Sequence, residues 1–93
     1  METKIRAHAI ISGRVQGVFF RMETKRAADR FGVSGWVQNL RDGTVEAVFE
    51  GDRNQIDDIL AWCKEGPPRA KVTDVNISWE DYSGEFRKFD ISY

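Results

Sequence analysis

The stretch GRVQGVFFR, residues 13–21, ends in an arginine at a place where a helix should begin, and no Ser, Thr, Asp or Asn stands there to cap that helix. A cation in the first turn also opposes the helix macrodipole, whose positive end lies at the N-terminus. An anion bound at the helix start would account for both features. Consecutive N–H groups in a turn leading into a helix form a concave cradle for an oxyanion. Gly17 would let that turn tighten, and Gly13 would free the chain as it leaves the preceding strand. The planar fork of Arg21 can hold two oxygens of a phosphate in charge-assisted hydrogen bonds. The expected anion contacts are the main chain of Val15, Gln16, Gly17, Val18, Phe19 and Phe20, with the side chain of Arg21.

Other phosphate devices are missing. Neither G-x-x-x-x-G-K-[ST] nor G-x-G-x-x-G occurs, which excludes a P-loop and a dinucleotide fingerprint. CKEGPPR, residues 63–69, has the spacing of a cysteine-dependent phosphatase loop. However, Cys63 falls in the last turn of a helix, where the dipole disfavours a thiolate, and Pro67 and Pro68 offer no N–H. Cys63 is therefore expected in the core. His8, the sole histidine, alternates outward on a strand away from the proposed cradle. Asp57 and Asp58 are neighbours on a helix and point in different directions, so no shared metal site and no cofactor is expected. Glu80 and Asp81 are expected in a turn at a strand end.

The elements that must position these groups follow from period. Ile5, Ala7, Ala9 and Ile11 alternate with Arg6, His8, Ile10 and Ser12, a strand with one apolar face. Phe20, Thr24, Ala27, Ala28 and Phe31 fall at helical spacing and Gly32 supplies a stop. Val33 to Leu40 and Thr44 to Glu50 form two strands around an RDG turn. Asp52, with Gln55 three residues on, caps a second helix whose apolar stripe is Ile56, Ile59, Leu60 and Cys63, ended by Gly66, Pro67 and Pro68. Thr73, Val75, Ile77 and Trp79 alternate in a fourth strand, and Phe89, Ile91 and Tyr93 in a short last one at the edge.

This order, βαββαβ with an extra edge strand, predicts an α+β, ferredoxin-like sandwich with two helices on one face of a mostly antiparallel sheet. Right-handed crossover makes the first two strands parallel with the third between them. Asn39, at the end of the second strand, should then lie near the loop after the first. It shares a face with Val33 and Val37, so its amide should point toward the start of the first helix. An amide cradle, an arginine and an asparagine, without an obvious base, nucleophile or metal, limit the chemistry. An alkoxide leaving group wants a proton or a metal, whereas a carboxylate leaves as a stable anion, so the fitting substrate is a mixed anhydride.

Composition sets the outer bounds. The chain has 93 residues, 41% hydrophobic and 31% charged, which fits one small globular domain over 1–93. Fourteen Lys plus Arg against fifteen Asp plus Glu give a net charge of −1, which provides no general field for nucleic acid or an anionic membrane. No apolar run is long enough to span a bilayer and no signal peptide is visible. One cysteine rules out an internal disulfide, so the expected compartment is the cytoplasm and the expected state a monomer. Its start at Met argues for a stand-alone protein.

GRVQGVFFR together with GWVQNLRDGTVEAVFEG, residues 35–51, resembles the paired signatures of the acylphosphatases, and the resemblance extends through GPPRAKV to nearly the whole chain. It implies metal-free hydrolysis of small acyl phosphates to carboxylate and inorganic phosphate. Arg21 falls on the family's phosphate-binding arginine, Asn39 on its water-holding asparagine, and the amides of residues 15–20 on its phosphate loop. Inorganic phosphate or sulfate would occupy the same cradle as a product-like ligand. Three alternatives stand beside this reading. One is a catalytically silent phosphate-binding module, and another is the acylphosphatase-like domain of larger carbamoyl-transferring proteins. The third, an RNA-binding ferredoxin-like module, needs stacking aromatics on the third strand, where TVEAVFEG carries two acids and one Phe.

Overall fold

The computed structural model describes residues 3–93. Seven elements follow in order: β1 (Lys4–Arg14), α1 (Phe20–Phe31), β2 (Ser34–Asn39), β3 (Val45–Asp52), α2 (Arg53–Glu65), β4 (Lys71–Glu80) and β5 (Phe89–Ile91). The strands form one sheet in the order β4-β1-β3-β2-β5, antiparallel except for the β2–β5 pair. Both β1 and β2 run antiparallel to the β3 between them, so they are parallel to each other. Val45 pairs with Ile11 on one side and Asn39 on the other. At one strand spacing per step, Asn39 stands about 10 Å from Ile11, the last residue of β1 paired with β3.

Ala7, Ala9 and Ile11 of β1, Val37 of β2 and Val45, Ala47 and Phe49 of β3 turn to the same face and are fully buried there. Phe20, Thr24, Ala27 and Ala28 of α1 and Ile56, Ile59, Leu60 and Cys63 of α2 cover them. Alanines at facing positions let the helices settle close to the sheet. Stacked Phe49 and Phe89, with centroids 5.5 Å apart, tie β5 into this layer. Asp52 and Gln55 form the expected capping box at α2, the Gln55 Oε1 accepting from the Asp52 N–H at 3.0 Å.

Several boundaries differ from those read in the sequence. Val33 donates to Ala28 O at 2.9 Å and Leu40 to Thr44 O at 2.9 Å, so both belong to the connections at either end of β2. β3 runs on to Asp52 because Gly51 and Asp52 still pair with Ile5 and Lys4. Gly13 is no strand exit. It sits in a register shift within β1 at φ 120°, where a Cβ would lie 2.1 Å from Lys71 O. Tyr93 lies beyond the last strand, which ends at Ile91.

Glu80 is also not in a turn: it closes β4 and pairs with Arg6 Nε at 2.9 Å. Arg6 belongs to a network on the open sheet face centred on Glu50, which is 1% exposed. Glu50 accepts from Ser83 N–H at 2.9 Å, Ser83 Oγ at 2.8 Å, Gly84 N–H at 3.1 Å and Arg6 Nη1 at 3.3 Å. Burial alone would raise its pKa, but these bonds outweigh burial and hold the carboxyl below its ordinary value. A depressed folded-state pKa means stability that is complete above the unfolded value, about 4.3, and lost as pH falls through the folded one. Glu50→Gln should therefore lower stability at neutral pH by about 1–3 kcal/mol and flatten its acid limb. Urea midpoints measured from about pH 3 to 7 check this; a limb as steep as in the unaltered protein would remove Glu50 from the account.

Candidate active site

The residue before α1 is strained. Phe19 has φ 64° and ψ 22°, the only positive φ outside glycine among the described residues, and no side chain caps the helix it precedes. Such a conformation costs of order 1–3 kcal/mol and persists where its surroundings over-determine it. Here the neighbours supply that constraint. Val15 and Val18 are buried and anchor the loop in the core, while Gly17 makes the turn at φ 73°. Gln16 reaches sideways, its Nε2 donating to Leu40 O at 2.7 Å and Thr44 O at 2.8 Å. The first turn of α1 has no side-chain acceptor for its amides, a positive helix end left open.

Arg21 is half-buried beside that end. Its Nη1 donates to Ser92 O at 3.3 Å, and its guanidinium lies 4.8 Å from the Tyr93 ring centroid. It forms no ion pair among the described residues. Glu23, the acid of the first turn, pairs instead with Arg26 at 2.9 Å. Asn39 comes in from β2 on the helix side, and its Oδ1 is buried without a hydrogen-bond partner. Buried acceptors are nearly always paired in native structures, so a lone one at a cleft marks a place for a donor from outside.

These groups meet. Val15, Gly17, Phe20, Arg21 and Asn39 line one pocket of about 250 Å³, whose remaining lining residues are Phe19, Met22, Ile91 and Tyr93. No Asp or Glu side chain lines it, and the one charged side chain that does is Arg21, beside the positive helix end. A cleft of this kind favours a small oxyanion over a neutral or cationic guest.

Of the residues expected to bind phosphate, Gln16 and Val18 do not line the pocket. The Gln16 side chain goes to the β2–β3 turn and that of Val18 into the core, so what either could offer an anion is its main-chain amide. Sequence reasoning missed the Gln16 side-chain bonds and the rim of Met22, Ile91 and Tyr93. Nothing local marks them, although Tyr93 continues the alternation of Phe89 and Ile91.

The residues set aside lie elsewhere. Cys63 is fully buried in the last turn of α2, and burial pushes its thiol pKa far up. His8 Nε2 lies 2.7 Å from Glu46 Oε2 on the open sheet face, where Gln38 also bonds Glu46 at 2.6 Å. This face presents Glu46 and Glu50 from its central strand, a poor platform for RNA bases. Asp57 pairs with Arg53 at 3.3 Å. Among the described residues no three His, Cys, Asp or Glu side chains gather as a metal would require, and no helix is long and apolar enough to cross a membrane.

Comparison with known proteins points the same way. The sequence pattern of the family described as acylphosphatase matches residues 7–91. An acylphosphatase of Pelotomaculum thermopropionicum is 50% identical over 91 residues, covering 98% of this chain and 99% of that protein. Another, of Pyrobaculum islandicum, is 53% identical over 88 residues, with 94% and 93% covered. The crystal structure of acylphosphatase from Bacillus subtilis superposes with a TM-score of 0.92 at 36% identity, covering 96% of this chain and 99% of that one.

Proposed function

This chain belongs to the acylphosphatase family, with the ferredoxin-like fold of its solved relatives, and on that premise we propose that its pocket hydrolyses small acyl phosphates by direct attack of a water held by Asn39. The family and fold support acyl phosphate hydrolysis as the activity. The finer assignment rests on one observation: an uncapped helix start, a guanidinium and an unpaired amide oxygen open into the same cleft.

The phosphoryl group sits against the loop amides and Arg21, which neutralise charge on its equatorial oxygens. Asn39 Oδ1 accepts one hydrogen of a water and orients its oxygen toward phosphorus. A bond forms from that oxygen to phosphorus as the bond from phosphorus to the acyl oxygen breaks, and the carboxylate leaves with the electron pair. An amide is too weak a base to take the water's proton, so the proton passes to a phosphoryl oxygen of the substrate. The products are carboxylate and inorganic phosphate, with catalysis by positioning and electrostatics.

No step asks for a metal or cofactor, because the leaving group is already stable as an anion. We place the enzyme in the cytoplasm as a monomer. The test is release of phosphate from acetyl phosphate or benzoyl phosphate with and without a chelator. Turnover insensitive to the chelator is expected, with far slower release from p-nitrophenyl phosphate. Phosphate binding without turnover would leave a silent binder, and loss of rate on chelation would contradict the metal-free route.

A further inference from the structure

We propose that the Gln16 side chain sets the register between the anion cradle and Asn39, and is thus a positioning residue for hydrolysis; this rests on the function proposed above. Its amide nitrogen spends both hydrogens on two carbonyls, Leu40 O at 2.7 Å and Thr44 O at 2.8 Å. Both partners are acceptors, so only the NH2 end of the amide can face them.

The two carbonyls sit at the neck of the β2–β3 hairpin. Leu40 follows Asn39 directly, and Thr44 directly precedes Val45, the residue paired with Asn39. The neck is already closed without Gln16: Leu40 N–H donates to Thr44 O at 2.9 Å and Gly43 N–H to Leu40 O at 3.2 Å. Each carbonyl has a second lone pair, and Gln16 uses it. What Gln16 adds is therefore attachment of the loop to the hairpin rather than closure of the turn. Among the described residues no other hydrogen bond joins residues 15–19 to this hairpin.

The loop needs such a tether. It turns at a glycine with φ 73°, a residue that leaves the backbone free to move, and contains a strained phenylalanine at φ 64°, a conformation that its surroundings must hold. The cradle fixes phosphorus and Asn39 fixes the attacking oxygen, on two segments 20 or so residues apart in the chain. A displacement of about 1 Å between such groups can cost about 10²-fold in rate. The cradle itself, with Arg21, would move as a unit and keep its grip on phosphate.

The experiment is a double-mutant cycle on the full chain with acetyl phosphate. Gln16→Met keeps length and removes both donors; Gln16→Glu, close to isosteric and without a proton to donate when ionised, is run beside it. Either should lower kcat by about 10- to 100-fold, and with Gln16→Met, which brings no charge to the cradle loop, the inhibition constant of inorganic phosphate should change by less than about threefold. In an Asn39→Ala background, where no water is held to be misplaced, the same change should cost less than about threefold. A merely structural role would cost the same factor in both backgrounds, and that result would overturn the proposal. So would unchanged kcat in a folded variant, or failure of both variants to fold by circular dichroism. If the unaltered protein itself releases no phosphate, the proposed function fails; if it does and Asn39→Ala is impaired, a failed cycle removes the role of Gln16 alone.

Discussion

Arg21→Ala is expected to lower kcat/KM for acetyl phosphate by about 10³-fold or more, the scale on which a guanidinium acts on a transferring phosphoryl group. Inhibition by inorganic phosphate should weaken by about tenfold or more in the same variant. Arg21→Lys should recover little of either, because an ammonium cannot hold two oxygens in a plane. Thermal stability is the control, and its expected behaviour separates function from structure. A cation in the first turn of α1 works against the dipole by about 0.3–1 kcal/mol, and losing it offsets the lost contacts with Ser92 O and the Tyr93 ring. The melting temperature should therefore stay within a few degrees while activity collapses. A variant that lost stability and rate together would make Arg21 a structural residue. One that kept its inhibition by phosphate would break the link between the guanidinium and the anion.

The buried faces of the elements depend on near neighbours, and these were legible in the sequence, although several element ends were not. The spacing of Phe20, Thr24, Ala27 and Ala28 marks the buried face of α1, and Ile56, Ile59, Leu60 and Cys63 that of α2. Alternation in β1 separates Ala7, Ala9 and Ile11 from Arg6 and His8. From these and the handedness of the crossover, the placement of Asn39 beside the β1–α1 loop follows, because topology converts local pattern into distance. What stayed hidden depends on side chains finding backbone far along the chain. Gln16 bonds residues 24 and 28 positions away, and Glu50 holds Ser83 and Gly84 from 33 and 34 positions. Neither separation has a period. Tyr93 continues an alternation that ends two residues earlier, and its ring goes to Arg21 in place of a strand partner. The missing cap of α1 is the exception of most use: a local rule visibly broken in the sequence, and broken at the pocket.

Asn39→Ala should lower kcat for acetyl phosphate by about 10²-fold or more, the cost of losing one preorganised polar contact in a transition state. Inhibition by inorganic phosphate should change by less than about threefold, since the cradle and Arg21 stay in place. Asn39→Asp should behave differently, because a carboxylate pointed into an anion site repels phosphate and both constants should suffer. Stability supplies an independent sign. The Asn39 Oδ1 is a buried acceptor without a partner, and an unsatisfied group of this kind costs about 1–3 kcal/mol. Removing it should leave the protein as stable as before or slightly more so, as measured by urea unfolding. Catalytic groups held at the expense of stability show this combination, slower turnover in a chain that unfolds no sooner. Were Asn39→Ala both slower and clearly less stable, the amide would be a turn residue of the hairpin, and the attacking water would need another holder.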